Sequence, residues 1–272
     1  NISVLKDASS AAIYGARAAF GVVLVTTKKG YRNIEKTNVS FSSNLILGTP
    51  NYLPEMVNTY VHASTVNEAL RQKGEPIRFK EEDVEKMRLY HMDPSRYPIE
   101  QIDANGDYYF WGTINYMDEV LKKTTTRWRN NINVSGGTKL IDYYVSGGYT
   151  SDEGIFKYNN SDVDIFNVKA KVNANITKWW TIGTNIDYVK DKQSKPHDYL
   201  NWWDRIYSQR TYFNIINPVN GYYTNNPLVY LKEGSRTSSD QTTTILSFDT
   251  KVTPLKNWNI YGKYTYREYS NK

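Results

Sequence analysis

Cysteine is absent from all 272 residues. That excludes a disulfide framework, a thiolate metal site and thiol catalysis, and leaves the redox compartment open. Histidine is scarce: His62, His91 and His197 stand far apart, none with an acid at useful spacing. No nucleophile-elbow pattern occurs. The chain therefore reads as non-enzymatic. No apolar run approaches the ~20 residues of a membrane-spanning helix, and the mean hydropathy is −0.65. A helical membrane protein is excluded. A membrane β-barrel is not, because its strands alternate apolar and polar residues and average out as hydrophilic. Positive charge is not massed either. The net charge of +6 comes from scattered Lys and Arg, so no nucleic-acid partner is expected. The chain opens at Asn1 without an initiator Met or signal peptide and stops at Lys272 just after an alternating run. Both ends read as cuts in a longer chain.

What is abundant is aromatic: 24 Tyr and 7 Trp. Such rings settle at membrane interfaces and in binding loops. From Asn38 onward the apolar pattern has period two. Strands are predicted over about 38–47, 127–135, 141–151, 165–177, 181–190, 241–252 and 258–268. In the fourth, Phe166, Val168, Ala170, Val172, Ala174 and Ile176 share one face, and Asn167, Lys169, Lys171, Asn173 and Asn175 the other. One apolar and one wet face suit a lipid-facing wall around a watery lumen. Short and long connections alternate. Tight turns are expected at Gly136-Gly137-Thr138-Lys139, Lys178-Trp179-Trp180 and Pro254-Leu255-Lys256-Asn257, and long loops at about 48–126, 152–164 and 191–240. An up-and-down barrel sorts its loops this way between its two rims. The fold class is therefore all-β, a partial antiparallel barrel.

Residues 1–30 differ. Val4-Leu5 ends a strand, Asp7 or Ser9 caps a short helix over 11–14, and Val22–Thr27, apolar on both faces, reads as a buried strand. In the first long loop, helices are predicted from Leu53-Pro54 to Lys73-Gly74 and from Lys80 to about Tyr90. Asp103, Asn105 and Asp107 resemble the start of a calcium loop. The sixth-position Gly and twelfth-position Glu are missing, so a polar turn is the preferred reading. Between 192 and 240 the rings of Tyr199, Trp202, Trp203, Tyr207, Tyr222 and Tyr223 are candidate ligand contacts, since flat rings beside amides stack on sugars. Internal packing of the loop is the competing reading. Lys169 and Lys171 could attract an anionic substrate, against a plain solvated wall.

The run Val4-Leu5-Lys6-Asp7-Ala8-Ser9-Ser10-Ala11-Ala12-Ile13-Tyr14-Gly15-Ala16-Arg17, followed by Gly21-Val22-Val23-Leu24-Val25-Thr26-Thr27-Lys28-Lys29-Gly30, closely resembles the end of the plug in SusC/RagA transporters. Lys6, Asp7, Tyr14, Gly15, Arg17 and Gly21 carry the motif. Ala18 and Phe20 stand where the family usually has Gly and Asn. Leu53-Pro54 to Ala69 resembles the family's first-loop helix. Asn133-Val134-Ser135-Gly136-Gly137 and Tyr144–Tyr149 resemble its second and third strands.

The resemblance implies a barrel of about 22 strands, with residues 1–30 as the end of its plug and 31–272 as the N-terminal part of its wall. It implies TonB-dependent import of oligosaccharides or peptides across a bacterial outer membrane, beneath a SusD-like capping lipoprotein. The TonB complex would engage a segment absent from this stretch. No cofactor is implied. The alternatives are a surface glycan-binding adhesin, which has no need of a plug, and a siderophore or cobalamin receptor, which the 53–69 helix and the Ser-Gly-Gly strands disfavour.

Overall fold

The period-two segments pair as seven long antiparallel strands in one sheet. The computed structural model describes residues 2–7, 14–15, 18, 20–25, 28, 30–32, 34–159 and 161–272. The wall runs through β3 (Ile34–Gly48), β6 (Thr125–Gly137), β7 (Ile141–Asp152), β8 (Asp162–Asn175), β9 (Trp180–Pro196), β10 (Arg236–Leu255) and β11 (Trp258–Asn271), each hydrogen-bonded to the next. The order follows the chain, without crossovers. Each predicted strand is present. Several are longer than their alternation implied, so the third long connection shrinks to 197–235. Pairing of β9 with β10 continues from Val252↔Trp180 up to Arg236↔Pro196. There both faces are polar, and the alternation that marks a strand in sequence is gone.

β8 ends sooner than expected. The amides of Ile176 and Thr177 both donate to the carbonyl of Trp180, at 2.9 and 3.2 Å. The turn therefore spans 176–179, and Ile176 lies in it rather than on the strand.

Residues ahead of the wall form a hairpin of β1 (Ile2–Leu5) and β2 (Val22–Val25). The predicted helix over 11–14 falls largely outside the described residues. The expectation of a buried second strand is corrected: Val23 and Val25 are 62% and 66% exposed. A two-stranded hairpin covers neither of its own faces, and no described element packs over these two. Gly21, at φ +101°, closes the hairpin, and Gly30 lies against the backbone of Tyr143 at the start of β7.

The long connections fold as a layer at one rim. The first holds α1 (Thr59–Gln72), α2 (Glu81–Met92), a hairpin of β4 (Glu100–Ile102) and β5 (Tyr108–Phe110), and α3 (Tyr116–Val120). The third holds α4 (Tyr199–Tyr207) and α5 (Pro227–Glu233). α1 starts at Thr59, not at Leu53, because the Asn58 side chain caps it by accepting from the amide of Val61 at 2.9 Å. α2 opens on Glu81, Glu82 and Asp83, which suit the positive end of its dipole. Most of the buried apolar core lies here and not in the wall. Tyr116, Val120, Phe156, Trp202, Ile206 and Leu231 form one cluster across all three long connections. Ala63, Met87 and Trp111 form another.

Candidate ligand site in the loop layer

The wall sets the frame, because each strand pairing carries the face of one strand to the next. Val39, Phe41, Leu45, Val134, Val145, Val168, Val172, Ile186, Leu246, Phe248, Tyr264 and Tyr266 fall on one face. Most of these are exposed. The band has edges. At the rim of short turns Trp179 and Trp180 stack at 6.3 Å, and Trp258 opens β11 at the same rim. Towards the rim of long loops, charge begins: Lys190 pairs with Asp240 at 3.4 Å, and Tyr149 donates to Asp164 at 2.7 Å.

The opposite face carries Asn133, Asn131, Asn173, Lys171, Lys169, Asn185, Asp187, Ser247 and Lys263, with a few aliphatics such as Ile165 and Val189. Its charges are largely neutralised in place. Lys169 meets Asp187 at 2.6 Å. Asp142 accepts from Arg32 at 2.9 Å and from Asn173 at 2.6 Å. Lys169, one of two lysines considered for attracting an anion, is thus already paired.

The residues singled out in the sequence are distributed as follows. Trp202, Trp203 and Tyr207 share α4. Trp202 is 5% exposed. Its Nε1 donates to the carbonyl of His197 at 2.8 Å, and Arg205 stacks over its ring at 5.3 Å. Trp203 packs between Phe156, at 5.6 Å, and Tyr207, at 5.9 Å. Tyr199 lies in the first turn of α4, but its side chain is not among those described. Tyr222 and Tyr223 sit on a separate turn, both exposed. Lys6, Asp7, Tyr14 and Gly15 lie exposed between β1 and β2, while Arg17 lies outside the described residues. Asp103, Asn105 and Asp107 form the tip of the β4–β5 hairpin, where the Asp103 carboxylate accepts from the amides of both others at 2.9 Å. That is the geometry of a polar turn. Among the described residues no cluster of three or more His, Asp or Glu side chains could hold a metal.

Of the predicted ligand residues, Tyr207 lines a loop-layer cavity. A cavity of about 250 Å³ opens between the entry to α1 and the segment after α4. Its walls are Pro54–Val57, His62, Met117 and Tyr207–Thr211. His62 packs against Tyr212 at 5.2 Å and Phe79 at 6.2 Å. Burial lowers its pKa from the ordinary 6.5, and the guanidiniums of Arg210 and then Arg78 push the same way. The Thr211 side chain is buried, and its hydroxyl has no hydrogen-bond partner among the described residues. A second cavity, of about 400 Å³, is bordered by Phe79, Asp83, Tyr108, Trp111, Phe213 and Asn214. There the Tyr108 hydroxyl donates to Glu100 at 2.7 Å and accepts from Asn214 at 2.8 Å. Burial and then the Glu100 hydrogen bond push its pKa up to about 12. Burial also raises the Asp83 carboxyl. Sequence reasoning missed His62, Arg210 and Thr211. His62 belongs to the first long loop and Arg210 and Thr211 to the third, and they carry no local motif, so only packing of one loop on the other brings them together.

No family model matches the chain. Among curated proteins it is 31% identical over 167 residues to TonB-dependent receptor P26 of Formosa agariphila, covering 61% of this chain and 14% of that protein. It is 30% identical over 186 residues to TonB-dependent receptor P3 of the same organism, covering 68% and 15%. TonB-dependent receptor SusC of Bacteroides thetaiotaomicron is 28% identical over 159 residues, covering 58% and 13%. The chain thus spans about a seventh of the length of the curated relatives it matches. Among solved structures, the RagAB peptide transporter matches with a TM-score of 0.71 and 21% identity, over 99% of this chain and 32% of that one. The RagAB peptide importer in its open-open state matches at 0.67, with 21% identity, over 96% and 31%. At that identity the structural likeness speaks for the fold. Akin in sequence to TonB-dependent receptors and in fold to the RagAB transporter, this chain is SusC/RagA-like.

Proposed function

We propose that the protein to which this chain belongs sits in a bacterial outer membrane and imports large nutrients, oligosaccharides or peptides, in a TonB-dependent manner. It acts as a transporter and not as an enzyme. A SusD-like lipoprotein covers the loop layer. Residues 1–30 are the end of the plug, and residues 31–272 are wall with its loops.

The observation that carries this reading is the two-sided wall. Its apolar face is exposed and bounded by tryptophans at one end and ion pairs at the other. Its opposite face is amide-rich and ion-paired. Lipid covers the first at little cost, and water fills the second. The likeness to TonB-dependent receptors, SusC among them, supplies the energy coupling. The name of the RagAB peptide transporter keeps peptides beside glycans as cargo.

The test is a deletion strain, complemented with the intact protein and assayed for uptake of labelled oligosaccharides and oligopeptides. Uptake that returns on complementation and vanishes when TonB is removed is the expected result. Uptake that is indifferent to TonB would overturn the reading.

A further inference from the structure

We propose that the 250 Å³ cavity between α1 and the segment after α4 is an anion-recognition site. It takes a carboxylate-bearing unit of the transported substrate, held by Arg210 with the Thr211 hydroxyl completing the donor set. The substrate's origin rests on the import reading; the recognition chemistry does not.

The first observation is electrostatic. Arg210 and Arg78 form no ion pair among the described residues. Several other arginines are neutralised: Arg32 pairs with Asp142, Arg71 with Glu81, Arg88 with Glu85 and Arg127 with Asp152. The charges felt at the His62 ring, on the wall of the cavity, are those of Arg210 and Arg78. Glu55 also lines the cavity but is not among them. Geometry agrees: the Arg210 guanidinium stands over the Tyr212 ring at 6.0 Å, and that ring packs on His62 at 5.2 Å, so positive charge lies at the His62 side of the cavity.

The second observation is a vacant hydrogen bond. Thr211 lines the cavity and is 3% exposed, yet its Oγ1 has no partner among the described residues. A buried hydroxyl left unpaired is costly, and a ligand oxygen would satisfy it. Its neighbours are spoken for: Ser208 donates to the carbonyl of Asp204 at 2.6 Å, and Gln209 to that of Asn225 at 3.1 Å.

The third is size and shape. The volume fits one residue-sized unit, not a chain. The remaining lining is Pro54, Met56, Val57 and Met117, with the ring of Tyr207. A flat or aliphatic body can rest on that surface while its carboxylate reaches Arg210, whose planar fork matches a carboxylate bidentately. Two sources fit this chemistry: the C-terminal residue of a peptide and an acidic sugar.

The test is calorimetry on the intact protein in detergent with two matched pairs of probes. One pair is galacturonate and galactose. The other is an N-acetyl dipeptide with a free carboxyl and the same dipeptide as its amide. The acid of at least one pair should bind about tenfold or more tighter than its neutral counterpart, the range of a charge-assisted hydrogen bond. Whichever pair responds identifies the source. Arg210→Gln, at an exposed position, should abolish the preference for the acid. Thr211→Val should weaken the acid severalfold. Equal binding of acid and neutral probes in both pairs, no binding by any probe, or a preference that survives Arg210→Gln would each overturn the proposal. Uptake by the complemented strain is read separately. Failure in calorimetry with TonB-dependent uptake intact removes the anion site alone.

Discussion

At the scale of the residue, the loop layer and the wall treat charge in opposite ways. In the wall, Lys169 and Asp142 are paired across strands. At the cavity, His62 shares its surroundings with two guanidiniums and the rings of Phe79 and Tyr212. The consequence for pH follows from the sign of its shift. The folded pKa lies below the unfolded 6.5. The unfolded state therefore takes up the proton first as pH falls, and stability is lost from about 6.5 downward through the folded pKa. Hydrogen exchange in α1 should accelerate over that window in the intact protein and lose the dependence in His62→Phe. A flat profile in the unmodified protein would remove the argument. On the wall, Val172→Arg puts a charge on the apolar face, where a midplane arginine costs about 2–4 kcal/mol in lipid. It should lower the amount of protein assembled in outer-membrane fractions. Lys171→Gln, on the polar face, should leave that amount unchanged.

At the scale of the element, local chemistry sets where helices and hairpins start and stop. Asn58 and Asn226 each turn a side-chain oxygen onto a backbone amide at a helix start, that of Val61 and that of Leu228. Asn226 also donates to the carbonyls of Ile215 and Thr224, at 3.0 and 2.9 Å. Asn226→Ala therefore removes a cap worth about 1 kcal/mol and takes a donor away from the half-buried carbonyls of Ile215 and Thr224. Limited proteolysis should cut between 209 and 235 faster in this variant, and Asn58→Ala should leave that segment's rate unchanged. Gly30→Ala would push a methyl into the backbone of Tyr143. The strand cannot yield cheaply, so the join between hairpin and wall should shift and the assembled yield fall.

The wall strands were legible in sequence because apolar and polar residues alternate along them. Their upper ends on β9 and β10 were not, since Lys190–Lys195 and Ser238–Asp240 show no alternation. The β4–β5 hairpin and α3 were missed because three- and five-residue elements are too short to display a period. The alternation of Phe166–Ala174 against Asn167–Asn173 was readable residue by residue, and strand pairing extends it across the sheet.

At the scale of the whole molecule, the sheet is a single layer whose edges, β3 and β11, are unpaired among the described residues. Such a layer presents backbone donors at its edges and apolar side chains on one side, a template for association. The 272-residue chain on its own should self-associate in detergent-free buffer. A monodisperse monomer with a sharp thermal transition would contradict that. Spin labels at positions 170 and 171 of the intact protein in bilayers should report lipid at 170 and water at 171. The reverse would invert the face assignment and, because register is shared through the sheet, invert it for all seven strands.

The amino-acid sequence by itself determined the fold class, the faces of the strands and the sorting of short turns from long loops. Each of these depends on side chains near one another along the chain. It also placed the chain beside the SusC/RagA transporters. Only the tertiary structure decided what the loops do. Trp202 is a core residue and Tyr207 borders a cavity, although both stand on one short helix. His62, Arg210 and Thr211 meet because α1 and the segment after α4 pack at one rim. That meeting depends on contacts between distant segments, which no local pattern encodes.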